Sequence, residues 1–122
     1  MPYAYRKNER IRKNTEFVAT MKGKRLSIDG LSLFYRKTDR ADFRVGLSVG
    51  KKLGNAVKRN RLRRQLRSCI TKVLGECSAG YDLVFVARQG LADLSFDQVL
   101  QIVSRALQRS AVMDPRAEGN RQ

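Results

Sequence analysis

Residues 43–74 read FRVGLSVGKKLGNAVKRNRLRRQLRSCITKVL, and the hydrophobic period changes halfway along them. Phe43, Val45, Leu47 and Val49 alternate with Arg44, Gly46, Ser48 and Gly50, the two-residue rhythm of a strand with one buried and one open face. Beyond Asn55 the apolar residues are Leu62, Leu66, Cys69, Ile70 and Val73, which at about 100° per residue fall within one arc of a helix. Asn60, Arg61, Arg64, Arg67 and Lys72 lie outside that arc, on the solvent side. Arg59 falls over the apolar stripe itself. It can be tolerated there only if the first turn overhangs the sheet edge and carries the guanidinium past the core.

The flanking segments complete the pattern. RLSIDGLSLFYRK (25–37) predicts strand, broken or bulged at Asp29-Gly30, with Leu31, Leu33 and Tyr35 on one side and Ser32 and Phe34 on the other. YDLVFVAR (81–88) is apolar on both parities and reads as an interior strand. A short helix is expected from Thr15 to Met21, capped by Asn14 or Thr15 and stopped near Gly23. Ser95 with Gln98 forms a capping box ahead of Phe96, Val99, Leu100, Val103, Ala106 and Leu107, which keep helical spacing. The order αβββαβα predicts an α+β fold, a single-domain α/β sandwich with a four-stranded sheet covered by helices. One domain should span residues 1–122, with about 1–8 and 115–122 as loose tails.

Charge narrows the function. The chain carries 26 Lys and Arg against 11 Asp and Glu, a net +15, and 21 of the 26 lie in residues 1–72. Such an excess repels itself in a compact fold unless a polyanion neutralises it. Residues 51–67 hold eight Lys or Arg and no acid, although a merely solvated helix usually mixes in Glu for i, i+4 support. Arginine outnumbers lysine from 58 to 67, and its planar fork suits bidentate contacts to phosphate. KKLGNAV adds a Gly and free backbone N–H groups at a positive helix end, where a phosphate can sit. The stretch reads as a nucleic-acid grip directed mainly at the backbone.

Catalysis by the chain itself is disfavoured. There is no histidine, which removes Ser-His-Asp and Cys-His nucleophilic sites and most zinc sites. The aspartates are scattered singly among polar neighbours, and Cys69 and Cys77 have no metal-ligand spacing, which suits reduced residues in or near the core. The longest uninterrupted apolar run is Leu83–Ala87, and the basic N-terminus lacks a signal-peptide stretch, so a cytoplasmic protein without a membrane partner is expected.

RVGLSVGKKLGNAVKRNRLRRQLR (44–67) closely resembles the signature of the bacterial ribonuclease P protein subunit, a strand, a Lys-Lys-x-Gly-Asn-Ala-Val loop and an Arg-Asn-Arg helix start. NTEFVATMKG, LSLFY, GYDLVFVARQG and LSFDQV are similar to further segments of that family. The resemblance implies a monomeric protein that joins a large catalytic RNA to remove the 5′ leader of precursor tRNA. The hydrolase would be the ribonucleoprotein, with Mg²⁺ held mainly by RNA and its requirement lowered by a protein that is not itself catalytic. It implies a left-handed βαβ crossover, against the right-handed default.

It also implies site residues. Lys58, Arg59, Asn60, Arg61, Arg63, Arg64 and Arg67 match the RNA-facing helix, and Lys51, Lys52 and Asn55 the loop before it. Phe17, Met21, Ser32, Phe34 and Ser48 match a cleft for the single-stranded leader, with Met21 standing where many relatives carry an aromatic. Parity leaves Phe34 either covered by the N-terminal helix or open to a ligand; the resemblance implies the second. The alternative function is a ribosomal-protein-like or general RNA-binding chaperone.

Overall fold

Tyr81–Ala87 is buried at every residue, and the other elements are arranged around it. In chain order these are helix α1 (Asn14–Met21), strands β1 (Lys24–Ile28), β2 (Leu31–Lys37) and β3 (Arg44–Val49), helix α2 (Ala56–Leu74), strand β4 (Tyr81–Ala87) and helix α3 (Phe96–Arg109). Short 3₁₀ turns at Lys51–Leu53 and Leu91–Asp93 precede α2 and α3. The computed structural model describes residues 14–39, 43–74 and 80–110; Cys77 and the expected tails lie outside them.

The sheet order is β1-β2-β4-β3, with β1/β2 and β2/β4 antiparallel and β3/β4 parallel. The parallel pair is joined through α2, the βαβ unit expected from the change of period. Asp29 and Gly30 both have positive φ, 43° and 92°, so the expected break is a two-residue hairpin turn of the kind that matches strand twist. Ser95 Oγ accepts the Gln98 N–H at 3.2 Å and Gln98 Oε1 accepts the Ser95 N–H at 2.9 Å, closing the capping box at α3.

The two faces of the sheet are unequal. Leu31, Leu33, Tyr35, Val45, Leu83 and Phe85 face α2 and α3 and form the main core with Leu62, Leu66, Ile70, Val103 and Leu107. Cys69 belongs to this core, and burial pushes its thiol up to about 11, so it stays protonated and unreactive at neutral pH. The opposite face carries a second, smaller cluster of Phe34, Val84 and Val86, with Phe17 of α1 packed on it. Gly46 was expected on an open face, yet it is buried: a Cβ there would lie 2.7 Å from Phe17 Cε2, so the helix sits where only glycine lets a ring approach.

Among the described residues no helix is long and apolar enough to cross a membrane. Phe85→Ala should cost about 3–5 kcal/mol through the cavity it leaves in a fully buried site. Ser95→Ala should cost only about 1 kcal/mol, one lost cap. Urea unfolding of the two variants checks the ratio.

Candidate nucleic-acid interface

The interface begins where β3 ends. Leu53 is buried and anchors the Lys51–Leu53 turn, which leaves the Lys51 and Lys52 side chains in solvent. Gly54 follows at φ 136°, and the Lys58 stem lies against it, so a Cβ would fall 2.7 Å from Lys58 Cδ. Asn55 then caps α2: its Oδ1 accepts the Lys58 N–H at 2.9 Å and its carbonyl accepts the Arg59 N–H at 3.0 Å. One of the helix-end N–H groups expected to be free is therefore already taken, and Asn55 has an internal duty beside any contact with RNA.

The basic residues separate into two groups. Arg61 and Arg64 are exposed and, with Lys51 and Lys52, make no ion pair among the described residues. Others are tied down. Arg63 donates to Asn60 Oδ1 at 2.8 Å and to the Val49 carbonyl at 3.4 Å, which folds it back onto the end of β3. Lys58 Nζ pairs with Asp93 Oδ1 at 2.8 Å across solvent. Arg67 and Arg59 are half-buried, and Arg59 Nε is shielded from water with no hydrogen-bond partner among the described residues. That burial follows from its place over the apolar stripe, where the stem must pass before the guanidinium can reach solvent.

The expected leader cleft is assembled in part. Strand register brings Ser48, Val86, Ser32 and Ser27 into one row across the sheet, and Gly46, Val84, Phe34 and Arg25 into the next. Helix α1 covers the second row. Phe34 is consequently only 7% exposed, with Phe17 packed near it and the Arg25 guanidinium 5.5 Å from its ring centroid. It forms the floor of a small core, so the expectation of an open stacking face is corrected. Ser32 is buried too, its hydroxyl 2.9 Å from Ser27 Oγ and accepting from Arg88 Nε at 3.2 Å. Met21 is 38% exposed and takes no part in the cluster.

The accessible part lies at the C-terminal ends of the parallel strands. A depression of about 550 Å³ is lined by Ser48, Gly50, Lys51, Lys52, Leu53, Val86, Ala87, Arg88 and Gln89. Such strand ends are where open α/β sheets commonly hold ligands. Val86, Arg88 and Gln89 were missed in the sequence, because only the parallel pairing of β3 with β4 brings them beside Ser48 and the lysines. An apolar floor rimmed by cations suits an unstacked nucleotide, and the α2 face beside Lys51 and Lys52 suits a phosphate backbone.

A family model described as Ribonuclease P matches residues 5–111. The ribonuclease P protein component of Bacillus cereus strain B4264 is 36% identical over 109 residues, which cover 88% of this chain and 95% of that protein. Among solved structures, the Staphylococcus aureus RNase P protein superposes with a TM-score of 0.80 at 30% identity, covering 87% of this chain and 98% of that one. The Thermotoga maritima RNase P protein gives 0.76 at 29% identity, covering 84% and 97%.

The two kinds of residue at the α2 start can be told apart by stability. Asn55→Ala should lower unfolding free energy by about 1 kcal/mol through the lost cap. Arg61→Ala should stay within about 0.5 kcal/mol of the parent, as surface changes do. Thermal melts of the free protein decide it.

Proposed function

The chain belongs to the ribonuclease P protein family, and on that premise we propose how it serves the ribonucleoprotein. The exposed cations of α2 and the Lys51–Lys52 turn hold the backbone of the catalytic RNA. The depression beside them takes the single-stranded 5′ leader of precursor tRNA. The observation that carries this reading is continuity: Lys51 and Lys52 stand both at the start of the basic helix and on the rim of the depression. One protein can therefore hold two RNA segments at a fixed spacing. Membership of the family displaces the ribosomal-protein alternative.

Cleavage belongs to the RNA in this proposal. The chain has no histidine to move a proton. Asp82, the one fully buried carboxylate among the described residues, is held by Arg44 and Arg36, and Glu16 by Arg44, which leaves both poor ligands for a catalytic cation. Mg²⁺ would be held mainly by RNA phosphates. The protein's cations add positive charge near the cleavage site without replacing the ion, which lowers the Mg²⁺ concentration needed.

RNA-free protein should cleave nothing, while the complex with its RNA should release the leader at lower Mg²⁺ than the RNA alone. Arg61→Ala and Arg64→Ala should each weaken RNA binding by about 1–3 kcal/mol if they touch phosphate or base edges closely. Each should also reduce the slope of log affinity against log salt by about one unit for every phosphate no longer neutralised. Phe34→Ala would disturb packing, and Phe17→Ala would also loosen the helix that its ring seats, so thermal melts must accompany both. Phe17→Ala should weaken holoenzyme binding of precursor tRNA by about 1–3 kcal/mol, and mature tRNA much less. Filter binding across a salt series, with both tRNA forms, tests these outcomes; equal losses for precursor and mature tRNA would refute the leader site.

A further inference from the structure

Helix α1 is poorly equipped to stay where it is. It has eight residues, fewer than the roughly 12–15 at which an isolated helix becomes even marginal in water. Among the described residues its apolar hold on the sheet is the ring of Phe17, since Val18 and Met21 are 42% and 38% exposed. Something further fixes it.

We infer that Glu16, Arg44 and Asp82 form a chain of ion pairs that positions α1, and with it Phe17, at the edge of the leader depression. Asp82 is wholly buried on β4 and lies opposite Arg44 in the parallel ladder. Its Oδ1 accepts from Arg44 Nε at 2.9 Å and its Oδ2 from Arg44 Nη2 at 2.7 Å, a bidentate fork. Arg36, opposite Asp82 on the other side, adds a third bond at 3.2 Å. The remaining Arg44 nitrogen, Nη1, donates to Glu16 of α1. Every nitrogen of this guanidinium is committed inside the protein, which takes Arg44 out of the RNA grip although it opens the basic signature. Together these partners hold its proton far above the ordinary arginine range.

The pleat explains the arrangement. Arg44, Gly46 and Ser48 share one face of β3 at two-residue spacing, about 6–7 Å apart. Arg44 tethers Glu16, Gly46 seats the Phe17 ring, and Ser48 lies beyond α1 on the wall of the depression. Adjacent residues of the helix thus engage adjacent open-face positions of the strand. Thr20, buried on the same helix, donates to the Glu16 carbonyl at 2.9 Å and holds that turn.

The inference rests on the leader reading, and the test separates the two. Glu16→Gln keeps the shape of a partly exposed residue and removes its charge. In the free protein it should speed amide exchange at Thr20 and Met21 while α2 keeps its protection. In the reconstituted holoenzyme it should cut the preference for precursor over mature tRNA about fivefold, the lower end of what one stacked base contributes. Added to Phe17→Ala, it should produce little further loss, because both act through the seating of the same helix. Unchanged α1 exchange, faster exchange throughout the protein, or full additivity with Phe17→Ala would overturn the positioning role. A parent holoenzyme with leader preference, lost in Phe17→Ala and intact in Glu16→Gln, would overturn it while leaving the leader site standing. A parent without leader preference would defeat both.

Discussion

A strand with no side in water constrains everything around it. β4 pairs on both edges and is buried along its whole length, so the chain must supply a layer for each face. Two amphipathic helices do this on one face and complete a large apolar core. Among the described residues the other face receives one short helix, which covers it in part. What is left uncovered is the depression at the strand ends. The candidate site is thus a by-product of unequal layering: one face closed for stability, the other left partly open.

The same inequality sorts the charges. A chain at +15 must limit repulsion within the fold, and its few carboxylates stand where a cation would otherwise be unpaired. Asp82 holds two arginines below α1, Asp93 meets Lys58 at the start of α2, and Asp29 ties the first hairpin to Arg105 of α3. Lys51, Lys52, Arg61 and Arg64 have no such partner among the described residues, and they lie together around one helix start. Pairing elsewhere and its lack at these four cations leave a local positive field of the kind that steers polyanions.

Much of this was legible in the sequence. Periodicity placed the three helices and four strands, the capping box at Ser95 and the buried stripe of α2, because each is a local pattern with a local cause. The concentration of basic residues at the start of α2 was legible for the same reason. What escaped depended on contacts distant in the chain. Gly46 looked open because nothing in residues 43–50 says that Phe17 arrives above it. For Phe34, parity already allowed cover by the N-terminal helix, and it was the family resemblance that implied an open face; α1 and Arg25 on the neighbouring strand cover it. Arg44 reads as one more cation until its partners at 16 and 82 are known. Asn55 was expected among the RNA contacts, while its capping bond depends on where the helix starts.

The outermost strand, β1, has a further consequence. One side of Lys24–Ile28 pairs with β2, and among the described residues no strand pairs with the other. Such an edge can recruit a second copy of the chain and seed aggregation. Here it carries exposed Lys24 and Arg25, so two copies approaching edge to edge bring like charges together. The surplus that suits the protein to RNA therefore also guards it against itself before RNA arrives. Once an RNA neutralises that surplus, the bulk of the ribonucleoprotein must keep such edges apart instead.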